Sequence, residues 1–152
     1  MSEESSGAAG WKPVPITEGE WAGWSAWQHD AFETIAGPFY EKIDENGEPV
    51  NAFRAEPRHM NGGGSMHGGC LMTFADSAIF VIAARELEGG MGVTLNLTAD
   101  FLGPAKVGQF IEARGRVVRG GGKTIFVEGM ATADGTPVLR FNGIIRKVGS
   151  KA

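Results

Sequence analysis

From Cys70 to Ala84 almost every residue is small or apolar. Leu71, Met72, Phe74, Ala75 and the run Ala78-Ile79-Phe80-Val81-Ile82-Ala83 carry no charge. The stretch opens at Gly68-Gly69. It ends where Arg85, Glu86 and Glu88 reach for water and Gly89-Gly90 supplies a stop. A helix apolar on nearly every side has to be buried on nearly every side. The rest of the chain must therefore wrap around this one segment.

The flanking sequence supplies the wrapping. Val93, Leu95, Leu97, Ala99 and Phe101 alternate with Thr94, Asn96, Thr98 and Asp100, a period of two that predicts a strand. Residues 109–119, 123–133 and 137–147 follow as strands, joined by Gly120-Gly121-Gly122 and Asp134-Gly135. Before the helix, 39–43 and 50–55 read as short strands around the turn Asp44-Glu45-Asn46-Gly47. The fold class is α+β, with an antiparallel sheet around one long central helix. An extra N-terminal helix is also predicted. Thr17 and Glu20 match a capping box, Trp21, Trp24, Gln28, Ala31 and Ile35 recur at helical spacing, and Gly37-Pro38 stops them. Trp21, Trp24 and Trp27 would either line an acyl pocket or pack that helix on the sheet.

At 152 residues the chain is the size of one domain. Residues 1–15 read as a disordered tail and 16–148 as the domain. The lone Cys70 forms no internal disulfide, the acidic start Met-Ser-Glu-Glu is unlike a signal peptide, and no apolar run spans a bilayer. These features predict a cytoplasmic protein with no membrane partner. Residues 1–103 hold 5 Lys/Arg against 15 Asp/Glu, while 104–152 hold 9 against 3. Such a basic C-terminal part would meet a phosphorylated ligand or balance the acidic part within one fold. The net charge of -4 argues against nucleic acid as a partner.

Asp76 stands in the middle of the predicted buried helix. A buried carboxylate is costly unless it is paired or has a task. The choice is between a structural Asp, pairing with an Arg or capping backbone, and a working one. The helix start at His67-Gly68-Gly69 favours work. Free N–H groups there suit a negative oxygen, and glycine lets a substrate approach the backbone. Such an N–H polarises an acyl carbonyl, and a nearby carboxylate attacks it or takes a proton from water. His67 either orients substrate or fixes the turn before the helix. Met72, Phe74, Phe80 and Phe101 are candidates to line an aryl or medium-chain pocket. The spacing of His29, His59 and His67 is not that of a metal site, and Gly120-Gly121-Gly122-Lys123 is not a P-loop.

The segment His59-Met60-Asn61-Gly62-Gly63-Gly64-Ser65-Met66-His67-Gly68-Gly69, continuing to Thr73-Phe74-Ala75-Asp76, resembles the hotdog-fold acyl-CoA thioesterases. It is most similar to the branch of the phenylacetic acid pathway thioesterase and thioesterase superfamily member 2. Gly92-Val93-Thr94, Pro104-Ala105-Lys106 and Gly108 also look like that branch, and the resemblance runs from about Asn51 to Lys147. It implies Asp76 as nucleophile or general base, the Gly68 N–H on the thioester carbonyl, and Asn61 positioning the carboxylate or water. It places at Thr94 a water-holding hydroxyl supplied by the neighbouring subunit. It implies acyl-CoA as substrate, no cofactor or metal, and a homodimer or homotetramer with sites at the subunit interface. Gly69 and Met72 would touch substrate, and Arg116, Arg119 and Lys123 would meet the phosphates of coenzyme A. A hotdog hydratase would want a His–acid pair placed differently. A non-catalytic acyl-CoA binding protein on this fold is the alternative of another class.

Overall fold

The computed structural model describes residues 12–149. Its elements are β1 (Val14–Pro15), β2 (Ser25–Ala26), α1 (Ala31–Ala36), β3 (Tyr40–Ile43), β4 (Pro49–Arg54), α2 (Gly68–Ile82), α3 (Ala84–Leu87), β5 (Met91–Phe101), β6 (Phe110–Arg119), β7 (Thr124–Ala133) and β8 (Thr136–Val148). A single 3-10 turn, Pro57–His59, precedes the glycine-rich loop. The strands form one antiparallel sheet in the order β1-β2-β3-β4-β6-β7-β8-β5. This is the hotdog arrangement, and α2 is its filling. Phe74, Ala75, Ala78, Ile79 and Ile82 of α2 sit in one core with Phe53, Ile111, Ile125, Leu139, Phe141 and Ile145 of the sheet.

The central helix seats closely because the sheet has a glycine beneath it. A methyl group at Gly143 would lie 2.7 Å from Cδ1 of Ile79. The predicted helix divides after Ile82: Ala83 leaves helical geometry and α3 adds one more turn before Glu88 turns left-handed at φ 52°.

The N-terminal helix is corrected. Only Ala31–Ala36 is helical, and its N-cap is Asp30, whose Oδ1 accepts from Glu33 N at 2.9 Å. Upstream, Gly19 and Gly23 take positive φ and fold the chain into a tight turn. Thr17 and Glu20 form no capping box, and Glu20 instead binds the Arg54 guanidinium. Tertiary packing overrides the helical spacing of the tryptophans. Trp21 stacks on Tyr40 at 4.1 Å and on Phe110 at 5.6 Å, with Trp24 edge-on to it. Flat stacking on two strands recovers more contact than one stripe of a short helix would. Of the expected tail, Val14 and Pro15 pair with β2 as β1, and 1–11 lie outside the described residues.

Candidate active site

The site begins with a strand defect. Strand β5 pairs with β8 along its whole length, but the register shifts between Thr94 and Asn96. One extra residue, Leu95, reverses which face each side chain takes. On the far side of the bulge, Leu97 lies opposite Gly143, facing α2. On the near side, Thr94 lies opposite Ile145, a fully buried residue of the same inner face. Thr94 is therefore not on the outer polar face that strict alternation gives it. It faces the central helix.

There its hydroxyl donates to Oδ1 of Asp76 at 2.6 Å. Asp76 is half-buried and has no arginine partner among the described residues; a neutral hydroxyl holds it. The bond lies within one chain. The two residues line a cleft of about 410 Å³ with Asp30, Phe32, Glu33, Met72, Thr73 and Leu97. Met72 is among the lining residues. Phe74 is not, being fully buried against Phe39 and Phe53. Phe80 and Phe101 do not line the cleft either, and none of the three expected tryptophans does.

Glu33 is the residue that sequence reasoning missed. It shares the cleft with Asp76, and its pKa is raised from 4.5 to about 7, first by burial, then by the charge of Asp30, with Asp76 and Glu41 adding to it. The legible signal was Asp30-Ala31-Phe32-Glu33, a helix start that the tryptophan spacing masked. The 3-10 turn before the glycine loop holds this helix in place. Arg58 donates to the carbonyls of Ile35 and Gly37. His59 Nε2 donates to Ala36 O at 2.7 Å, a tautomer fixed because Nδ1 accepts from Glu56 N at 3.0 Å. Burial depresses the His59 pKa, which suits this neutral role.

The glycine loop itself is well made. Asn61 Oδ1 accepts from Gly63 N at 2.9 Å and Ser65 N at 3.2 Å, which rigidifies the loop and leaves the Asn61 amide nitrogen for other work. His67 is the N-cap of α2, its Nδ1 accepting from Gly69 N at 2.8 Å. This is the turn-fixing alternative, and it spends the Gly69 N–H. The Gly68 N–H takes no partner among the described residues. Phe101 packs over Gly68, where an added methyl would lie 3.2 Å from its ring. Burial pushes the neighbouring Cys70 thiol up to about 11, so it is no nucleophile at neutral pH.

One distance governs the chemistry. Asp76 follows Gly68 by eight residues on one helix. That is about 12 Å along the axis and ~80° around it. Gly68 and Asp76 of one chain thus stand more than two helical turns apart. Arg116, Arg119 and Lys123 are also apart from the cleft. They lie around the β6–β7 turn, level with Thr94 along the strands but across the sheet from it, with β8 between Lys123 and β5 and both β7 and β8 between the two arginines and β5, and Arg116 pairs with Glu128 at 2.6 Å.

Residues 63–139 match the thioesterase superfamily, half of the chain. The chain belongs to the thioesterase superfamily. The match covers the glycine loop from Gly63 onward, all of α2 and strand β5, which carries Thr94, and begins just after Asn61. A Pseudomonas aeruginosa protein named for an inferred esterase activity is 38% identical over 94 residues, 60% of this chain and 69% of that one. Human acyl-coenzyme A thioesterase 13 is 26% identical over 90 residues. That stretch is 59% of this chain and 64% of the human enzyme, so the chain spans less than two thirds of that relative. The PaaI protein from the phenylacetic acid degradation operon of E. coli superposes with a TM-score of 0.70 at 26% identity, over 82% of this chain and 89% of PaaI. As a thioesterase-superfamily member the chain is, at family level, a thioester hydrolase.

Proposed function

We propose that this protein hydrolyses acyl thioesters of coenzyme A in a site shared between two copies of the chain. The observation that carries the reading is the Asp76 carboxylate, fixed through Oδ1 by Thr94 at the mouth of a cleft. The bond holds one oxygen and leaves Oδ2 to take the proton of an attacking water. Oxyanion stabilisation falls to the unpartnered Gly68 N–H at the start of α2, with Asn61 beside it in the capped loop. The name of the human relative supports coenzyme A as the carrier, and the cleft volume suits an aryl or medium-chain acyl group.

The roughly 12 Å between these two halves calls for a second copy, whose Gly68 meets this chain's Asp76. Strand β5 supports that arrangement. It ends the sheet, and its exposed Met91, Val93, Leu95 and Phe101 form an unpaired apolar edge. Isologous pairing along such an edge produces two sites per dimer. Residues 16–148 form the working domain, active without cofactor or metal. Arg116, Arg119 and Lys123 meet the coenzyme A phosphates only if the second copy brings them in.

The test is thiol release from aryl, short-chain and long-chain acyl-CoAs by wild type and Asp76→Ala. Turnover that disappears in the variant supports the hydrolase and begins to name the acyl group. Acyl-CoA binding without turnover by wild type sinks the hydrolase and leaves a binding protein on this fold.

A further inference from the structure

A second carboxyl is built into the cleft, and buried polar residues lead to it. Asn51 on β4 and Ser77 on α2 are 1% and 8% exposed within an otherwise apolar core. The Asn51 amide settles in the orientation where Nδ2 donates to Tyr40 O at 2.7 Å and Oδ1 faces Ala78 N at 3.2 Å. The reverse orientation would set oxygen against oxygen. In this orientation Oδ1 also lies 3.0 Å from Ser77 Oγ and accepts its proton. The Ser77 hydroxyl neighbours the Glu33 carboxyl. Its bond to that carboxyl acts to lower the Glu33 pKa, against the burial and the charges that raise it.

The charges around Glu33 oppose that bond. Asp30 faces it from its own helix, Asp76 from α2 and Glu41 from β3, the last engaged by Trp27 Nε1 at 3.0 Å. No cation is among the cleft residues, and β5 contributes the uncharged Thr94 and Leu97. Asp76 is held by a hydroxyl donor, and Glu33 stands half-buried among other carboxylates. Paired acids in contrasting environments are how one site holds a base and an acid together. The grip of Arg58 and His59 on the carbonyls that end α1 keeps Glu33 in place.

We propose that Glu33 is the general acid of this site, giving its proton to the sulfur that leaves the thioester. The inference rests on the thioesterase reading above. Water adds to the carbonyl carbon and loses one proton to Asp76. The tetrahedral oxyanion collapses, the C–S bond breaks with its electron pair going to sulfur, and the Glu33 proton passes to that sulfur to give the free thiol. The proton held by Asp76 then returns to Glu33, so water has supplied one hydrogen to sulfur and a hydroxyl to the acid. Asn51 and Ser77 are positioning residues, acting through Glu33.

The test compares one acyl group on two thiols, coenzyme A and an arylthiol whose anion leaves without help. For Glu33→Gln, a near-isosteric change whose folding is checked by thermal melting, kcat on the acyl-CoA should fall about 100-fold. The arylthiol ester should stay within about threefold of wild type. The wild-type rate should decline as pH rises past neutrality, and the variant should lack that decline. An active wild type beside a variant with unchanged rates and pH profile, or with both esters slowed equally, overturns the general acid alone. A wild type inactive on every thioester overturns the thioesterase reading and this inference with it.

Discussion

Thr94 donates a 2.6 Å hydrogen bond to Asp76, and the bulge at Leu95 is what turns it toward that oxygen. The bond fixes one carboxylate rotamer and leaves the second oxygen open to the cleft. Thr94→Val keeps the shape and removes the donor. We expect kcat to fall about tenfold with little change in KM, and Asp76→Asn to fall ~100-fold or more. Steady-state thiol release on both variants measures the split. A Thr94→Val enzyme with wild-type kcat would mean that the hydroxyl is only structural.

If Gly68 of one copy serves Asp76 of another, two dead variants should repair each other. Asp76→Ala and Gly68→Val homodimers would each be inactive. After mixing and reassociation, half the dimers are mixed and each has one intact site. Activity should return to about a quarter of wild type. Absence of recovery despite subunit exchange, followed by mass spectrometry, would show that each site lies within one chain.

Glu33 makes stability depend on pH. Its folded pKa of about 7 lies above the ordinary 4.5. The contribution is therefore fully present below 4.5 and is lost as pH rises through 7. Glu33→Gln stays neutral throughout. Near pH 8 it should be more stable than wild type by about 1 kcal/mol, allowing for the partial exposure of the carboxyl. The gap should close near pH ~4. Urea titrations at the two pH values check this.

His59 produces the opposite trend. Burial holds its folded pKa below the ordinary 6.5. Its contribution is present above 6.5 and is lost as pH falls through the folded value. A proton on Nδ1 would face the Glu56 N–H that now donates to it. Amides of α1 should then exchange faster than the intrinsic rate predicts as pH drops, with α2 unaffected. An NMR titration placing His59 at or above 6.5 would contradict this.

Gly143 sets how close α2 comes to the sheet. Gly143→Ala would drive a methyl to 2.7 Å from Cδ1 and 2.8 Å from Cγ2 of Ile79. The core has no room to yield, so a loss of about 1–3 kcal/mol in urea unfolding is expected. Gly122, with nothing within 4 Å, is the control: Gly122→Ala should have little effect.

What the sequence alone determined was whatever follows from local period and composition. The all-round apolar run specified a central helix, the four late strands fell close to their observed limits, Asp76 stood out as a carboxylate inside that run, Gly68 as a glycine at its start, and Asn61 entered only through the family resemblance. Tertiary structure decided the rest. The tryptophans have helical spacing, yet Tyr40 and Phe110 hold Trp21 and Trp24 against the sheet. Alternation put Thr94 on the outer face, and a single bulged residue turned it inward. Glu33 joined Asp76 across 43 positions of sequence because Arg58 and His59 anchor its helix. Periodicity is a property of neighbours along the chain, so it can be read from the letters. A cleft is made by residues that meet only after the sheet has closed around the helix, and no local pattern records which will meet.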